Sequence, residues 1–463
     1  MTTTQADVVV LGLGPGGEEA AGRLAEAGLD VVGIEGNLLG GECPYWGCVP
    51  SKMMIRAANL VAETRRVPGM AGTSSVTPDW APVARRIREE ATDNWDDRVA
   101  VERFEDKGGR FVRGWGRLDG PKRVAVGDDV YEARRAVIVA SGDKPWFPPI
   151  PGLAELEGQY WTNRQAIEAE TLPRSLVVLG GGAIGVELAQ VFARFGVDVD
   201  VVEGAGRLIA AEEPEASGLL EAVFGREDIG VHTGVKIAAV RRTGDGFTLD
   251  IEGGTAVSGE KLLVATGRRP DLTSINASSI GVDEEGRGLP VDEHLRVTDG
   301  VWAIGDVTGV GAFTHVSMYQ ANIVVLDILG ENPPAADYRA LPRVTFTDPE
   351  IGSVGLTEDQ ARRQGIEVHA AVTEVPTSAR GWIHKAGNEG FIKLVEDHDT
   401  GRLVGATSAG PTGGEVLSML TLAVHAGITT DQLRQMIYAY PTFHRTVEAA
   451  LGELCVVDSP RLM

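Results

Sequence analysis

Short, unbroken apolar runs punctuate the chain, and each ends in glycine or another small residue. They are DVVVLGLG (7–14), AVIVASG (136–142), SLVVLGGG (175–182), LLVATGRRP (262–270) and VWAIGDVTG (301–309). Runs of this length bounded by turn residues predict strands. The last of them places an exposed acid, Asp306, just beyond its strand. Two of the runs open longer units. DVVVLGLGPGGEEAAGRLAEAGLDVVGIEG and SLVVLGGGAIGVELAQVFARFGVDVDVVEG each read as strand, tight glycine turn, helix, second strand and terminal acid. Residues 339–463 lack this pattern. There PRVTFTDPEIGSVGL (342–356) is β-rich and GEVLSMLTLAVHAG (414–427) is an amphipathic helix, which predicts a separate α+β domain. GMAGTSSVTPDW (69–80) reads as a loop, and PWFPPIPGL (145–153) as a rigid joint before the second unit.

Composition narrows the class. Of 463 residues, 43% are apolar and 60 are glycine, as in soluble α/β proteins of roughly two to four domains. Asp and Glu total 66 against 43 Lys and Arg, a net charge of -23. So acidic a surface repels phosphate backbones and anionic lipid, so neither nucleic acid nor membrane is expected as a partner. No apolar run approaches the roughly 20 residues of a bilayer span. MTTTQA leads straight into the first strand with no basic n-region or cleavage site, and a cytoplasmic location is expected.

The glycines carry the first chemistry. Gly12, Gly14 and Gly17 form G-x-G-x-x-G, and Gly180, Gly182 and Gly185 repeat it. The first two glycines let the backbone turn and approach a pyrophosphate, the third lets helix and strand pack, and the helix N-terminus offers free N–H groups. Glu35 and Glu203 end the second strands, where a carboxylate accepts from a ribose hydroxyl. Two fingerprints imply two dinucleotides. Glu203 repels a 2′-phosphate, which favours NAD over NADP, with Arg207 as the counter-signal unless it is a solvated surface charge.

The stretch GGECPYWGCVPSKMM (40–54) places Cys43 and Cys48 directly after the first unit, in a chain with three cysteines. Metal ligation needs further Cys or His at matching spacing, and none stands there. A structural staple does not suit the cytosol. A redox-active disulfide beside a bound cofactor is the third reading.

These features together resemble the class I pyridine nucleotide-disulfide oxidoreductases, the family of lipoamide dehydrogenase, glutathione reductase and mercuric reductase. The resemblance rests on both fingerprints, the C-x4-C-x-P-[ST]-K box, ATG, GD and the C-terminal region. It implies an α/β fold with two Rossmann-like dinucleotide-binding domains, for FAD and NAD, plus a C-terminal α+β dimerisation domain. The expected boundaries are 1–150 with 271–338 for FAD, 151–270 for the nicotinamide nucleotide and 339–463 for dimerisation. By the same resemblance Cys48 is the flavin-proximal thiolate and Cys43 the interchange thiol. Lys52 pairs with Glu187 near the flavin, and Asp306 bonds the FAD ribityl chain. The helix entered at Thr314, His315 and Val316 aims its dipole at the flavin. Gly142 and Gly267, which close ASG and ATG, complete the cofactor-binding set. A second identical subunit completes the active site.

The chain also departs from that family. Disulfide-reducing members carry a C-terminal H-P-T-x-x-E acid–base dyad, whereas this chain reads YAYPTFHRTVE (438–448). Tyr440 stands where the His belongs and Arg445 where the Glu belongs. If Pro441 opens a helix, Tyr440 and His444 lie one turn apart on one face, and either could serve the thiols. Against this stands a purely structural role for His444. Trp46-Gly47 is similar to the soluble transhydrogenases, although Tyr45 and Trp46 are also accounted for by packing of the helix start. The tail VVDSPRLM has no second redox pair, and Cys455 reads as structural. The expectation is a homodimeric FAD enzyme passing electrons from NADH through flavin and the Cys43–Cys48 disulfide to a small acceptor: a disulfide, a quinone or a metal ion. A diaphorase or transhydrogenase with idle cysteines, and a redox-sensing flavoprotein, are the alternatives.

Overall fold

The computed structural model describes residues 2–456. The Cys455 side chain and the tail 457–463 lie outside the described residues, and so does the structural role expected of Cys455. The architecture is mixed α/β, and the chain divides into two compact units. The first comprises Met1–Met53, Pro82–Pro148 and Gly267–Ala336, and the second Met54–Ala81, Pro149–Thr266 and Asp337–Met463.

The first unit is built on one sheet. Its main path runs Arg296–Thr298, Val301–Ala303, Asp129–Val139, Thr3–Leu11, Val31–Glu35 and Arg110–Arg113. All neighbours along it are parallel except the first pair. Val8, Val9 and Val10 are fully buried, which is why the strand reads as a continuous apolar run: parallel sheets are covered on both faces. The helix Pro15–Glu26 starts with proline at its first turn, where a missing N–H costs nothing. Its small residues bring it close to the helix Thr314–Leu329. A Cβ on Gly16 would stand 2.9 Å from the Ser317 side chain.

The second unit holds three sheets. A parallel sheet runs Gly230–His232, Asp198–Val202, Ser175–Leu179, Lys261–Val264 and receives the helix Ala183–Arg194. A three-stranded antiparallel sheet, from Ile237–Thr243 to Ala256–Gly259, is inserted in sequence before the last strand of that sheet. Five antiparallel strands, in the order Pro342–Thr345, Glu350–Gly355, Leu403–Gly410, Phe391–Asp397 and Val368–Glu374, form the third. Ile392, Leu394, Leu417, Leu420 and Leu451 make the core between that sheet and its helices.

The long helix Cys48–Arg66 begins in the first unit, and from Met54 onward it belongs to the second. Among the contacts that hold residues 54–81 in this unit are the bond from Trp80 Nε1 to Ala169 O at 2.7 Å, the Arg66–Asp348 pair at 2.7 Å and a buried cation. Arg194, 2% exposed, donates to Asn59 at 2.6 Å, to Glu227 at 2.6 and 3.0 Å and to Asp348 at 2.9 Å. A guanidinium so enclosed persists only with its donors satisfied.

Lys393 is the second such cation. It stands 3.0 Å from Glu213, 2.7 Å from Glu215 and 2.9 Å from Glu358. Burial alone would lower its pKa, but the hydrogen bonds of Glu215, Glu358 and Glu213 outweigh burial and raise it. Removing the ammonium takes the counter-charge from Glu213 and Glu215, while Glu358 keeps Arg362 at 2.6 Å. Lys393→Met is therefore expected to cost about 3 kcal/mol of unfolding free energy, read as a lower midpoint in urea. An unchanged midpoint would mean the cluster holds nothing together.

Candidate active site

The two glycine turns are built alike. Gly12 has φ +94 and Gly180 φ +112, and a Cβ on either would lie 2.4 Å from a carbonyl oxygen, of Ala140 and Ala265 respectively. The third glycines are also closed in, since a Cβ on Gly17 would approach Gly12 O to 2.1 Å and one on Gly185 would approach Gly180 O to 2.0 Å. The middle glycines differ. Gly14 and Gly182 have nothing within 4 Å of a Cβ position, and each precedes a helix that has no side-chain cap. The outer glycines thus shape the turn, and the middle one faces open space beside uncapped N–H groups. That is the surface a pyrophosphate fits. A recess of about 340 Å³ is lined by Pro15, Glu18, Arg103, Thr314 and Met318, and Pro15 and Thr314 are the first residues of their helices.

The terminal acids brace these turns. Glu35 accepts from Leu13 N at 2.8 Å and Asn37 N at 2.7 Å, while burial raises its pKa. Glu203 accepts from Gly181 N and Ala205 N, both at 2.6 Å. Each carboxylate oxygen has a second lone pair for a ribose hydroxyl. Arg207 is not the solvated charge that the sequence allowed. It is half-buried, donating to Ser217 Oγ at 2.7 Å and to Ala210 O at 2.8 Å, so its guanidinium is already engaged. Gly142 and Gly267 have open space on the Cβ side.

Asp306 corrects another expectation. It is half-buried rather than exposed, because the turn Gly305–Thr308 folds back behind its strand. Its carboxyl is pushed up to about 7 by burial and by Asp143, against the opposing pull of Arg268. Arg268 Nε stands 2.5 Å from Asp143 Oδ1, with Glu42 at 3.9 Å. Neither Asp143 nor Arg268 was singled out from the sequence, although each directly follows a glycine that was.

Cys43 lies in the short helix Glu42–Tyr45, and Cys48 opens Cys48–Arg66. Both are free thiols, Cys43 half-buried and Cys48 exposed. The Cys48 thiol is brought down to about 6, chiefly by the hydrogen bond from Cys43 and then by the Thr314 hydroxyl and the charge of Lys52, against burial. The same thiol hydrogen bond and burial push Cys43 well up. Lys52 is one turn beyond Cys48 on the same helix. Glu187 is buried in the second unit, where its carboxylate accepts from Phe346 N at 2.8 Å. Tyr45 and Trp46 are 6% and 7% exposed with ring centroids 5.8 Å apart, as packing of the helix start requires. The His315 ring stacks on Phe313 at 5.1 Å. Among the described residues, no group of three or more His, Cys, Asp or Glu is placed to hold a metal.

The C-terminal expectation fails in one respect. Pro441 does not open a helix; residues 436–445 are irregular and the helix begins at Thr446. Local bonds take the place of helical ones: Thr442 Oγ1 donates to Ala439 O at 2.7 Å and Arg445 to Tyr438 O at 3.3 Å. Tyr440 and His444 therefore do not share a helical face. Tyr440 is 69% exposed beneath the Arg445 guanidinium, 5.4 Å from its ring, whereas the His444 ring faces buried Tyr438 at 6.2 Å.

Comparison with known proteins accords with this geometry. Residues 6–321 match the family model described as pyridine nucleotide-disulphide oxidoreductase, and 341–451 match its dimerisation domain. The mercuric reductase of Streptomyces lividans is 34% identical over 460 residues, covering 96% of this chain and 95% of the relative. The dihydrolipoyl dehydrogenase of Halobacterium salinarum is 33% identical over 470 residues, 97% and 96% of the two chains. Among solved structures, the Cu(II) complex of the HOCl-induced flavoprotein disulfide reductase RclA from Escherichia coli superposes with a TM-score of 0.85 at 25% identity, covering 97% of this chain and 99% of that one. LpdA from Mycobacterium tuberculosis gives 0.84 at 26% identity, with 98% and 100% covered. The family's members are FAD-dependent and use NAD(P)H, which agrees with the two nucleotide turns, and the second model suggests a homodimer. The chain therefore belongs to the pyridine nucleotide-disulfide oxidoreductases, as an FAD-dependent enzyme of that family.

Proposed function

We propose that this enzyme uses NADH to reduce a small-molecule acceptor by way of the Cys43–Cys48 pair. The observation that carries the proposal is the placement of two free thiols at adjoining helix ends beside the first nucleotide turn, where a Cβ on Gly41 would stand 2.8 Å from the Gly14 Cα and the Thr314 hydroxyl lies 3.3 Å from Cys48 Sγ. FAD would be held by the turn at Gly12, Gly14 and Gly17, with Glu35, Gly142, Asp306 and His315. When bound, it supplies the two-electron relay between nicotinamide and sulfur. NAD(H) would be held by Gly180, Gly182, Gly185 and Glu203, with Gly267 closing the crossover. Lys52 and Glu187 are proposed as the ion pair beside the flavin. In domain terms, 1–150 with 271–338 would bind FAD, 151–270 NAD(H), and 339–463 a second subunit.

The sulfur chemistry balances simply. Two electrons and one proton open the disulfide and leave a Cys43 thiol and a Cys48 thiolate. Giving two electrons to the acceptor (one Hg(II), or two Cu(II) ions reduced to Cu(I)) re-forms the disulfide and releases that proton. A Cys43 thiol that keeps its proton is a poor nucleophile at neutral pH. With no His–Glu dyad to take the proton, exchange with a disulfide substrate is handicapped. A thiophilic metal ion binds thiolate directly and is the favoured acceptor. The names of the mercuric reductase relative and of the Cu(II)-bound structural neighbour support the same choice.

In steady-state assays with NADH and Cu(II) or Hg(II), Cys43→Ser and Cys48→Ser are each expected to lose about a hundredfold or more in kcat. Undiminished turnover in both variants would make the cysteines bystanders and the enzyme a diaphorase. Tyr440 and His444 act separately if at all. Tyr440→Phe is expected to slow turnover about tenfold, while His444→Ala, which only loosens packing on Tyr438, leaves it within about twofold. The reverse ranking in the same assay would assign the acid–base role to His444.

A further inference from the structure

The hydroxyl of Thr314 lies 3.3 Å from Cys48 Sγ. Thr314 is the first residue of the sixteen-residue helix Thr314–Leu329, whose N-cap is Phe313 and which has no side-chain cap bond. Its hydroxyl is thus not spent on capping, the usual use of a threonine at a helix start. Ser317 Oγ donates to the Thr314 carbonyl at 2.9 Å, which ties the first turn together without involving that hydroxyl. We propose that Thr314 is a positioning residue of the sulfur chemistry, donating its hydroxyl proton to Cys48 and so holding the negative charge there rather than on Cys43.

The surroundings leave this task to Thr314. Cys48 as a thiolate accepts from the Cys43 thiol and from Thr314, and both bonds favour the charged form. The hydroxyl also lowers Cys43, but its 3.3 Å contact is with Cys48 Sγ. The charged groups around Cys48 oppose one another: Lys52 on its own helix favours the thiolate, and Asp306 from the turn Gly305–Thr308 repels it. The N-terminus of the Thr314 helix adds a partial positive charge of the same sense as Lys52. The Thr314 hydroxyl acts in the same direction as Lys52 and contributes more than it to lowering the Cys48 thiol. In a chain without the acid–base dyad, the group that places the charge also decides which sulfur meets the acceptor. This inference rests on Cys48 being the thiolate of the reduced pair.

The test is the pH dependence of Cys48 alkylation by iodoacetamide in NADH-reduced holoenzyme, with the labelled site identified by peptide mass. The wild type is expected to show an inflection near 6. Thr314→Val should move it up by about one unit, a roughly tenfold lower rate at pH 5, because the rate follows the thiolate fraction. Thr314→Ser, which keeps the donor, should restore the wild-type profile, and Thr314→Ala makes the same test as valine with less bulk. If valine and alanine leave the inflection near 6, Thr314 has no such role although Cys48 remains the thiolate. An equal upward shift in the serine variant would assign the effect to the lost methyl contact, and would overturn the proposal as well. An inflection near 8.5 in every protein, the ordinary cysteine value, would overturn both this inference and the function it rests on.

Discussion

One hydrogen bond, from the Cys43 thiol to the Cys48 sulfur, sets the terms for the rest of the site. Two thiols this close cannot ionise independently, because the first charge is stabilised by the remaining proton and the second is opposed by the first charge. The pair therefore favours one charge over two, with the Cys48 thiol lowered and the Cys43 thiol raised. Lys52, Thr314 and Asp306 are arranged around that charge rather than around either cysteine alone. The break at Trp46-Gly47 makes the contact geometrically feasible. It ends one short helix and begins another, so both sulfurs come from helix ends, with Tyr45 and Trp46 buried as the packing that fixes them.

The rest of the scaffold repeats one economical device. In each nucleotide turn the outer glycines are filled in by backbone and the middle one is left open, and in each the terminal acid braces the turn through two backbone N–H groups. Glu35 and Glu203 thus do structural work before any ribose arrives. Their replacement would loosen the turn. Arg207 is engaged in the same way, through its bonds to Ser217 and Ala210.

Much of this was legible in the sequence, because strands buried on both faces and glycine turns have local signatures. The apolar runs at Val8 to Val10 and at Leu176 to Leu179 and the cysteine box read directly, and the helix entered at Thr314 came from the family resemblance. What escaped was set by tertiary packing. Asp306 looked exposed because a turn after a strand usually is, and only the fold around Asp143 and Arg268 buries it. Tyr440 and His444 looked paired because Pro441 suits a helix start, yet side-chain bonds from Thr442 and Arg445 stabilise an irregular loop instead. The membership of residues 54–81 in the second unit rests on contacts such as Arg194 to Asn59 and Trp80 to Ala169, distant in sequence, that no local pattern carries.

The most direct test of the shared-charge account is an anaerobic titration of the holoenzyme with NADH, following the visible flavin spectrum. A long-wavelength charge-transfer band that grows in at two electrons, and is lost in Cys48→Ser, is the expected result. It would place a thiolate from this pair against oxidised flavin. Simple bleaching of the flavin at two electrons, the same in wild type and in Cys48→Ser, would contradict the account and leave the cysteines without a part in electron transfer.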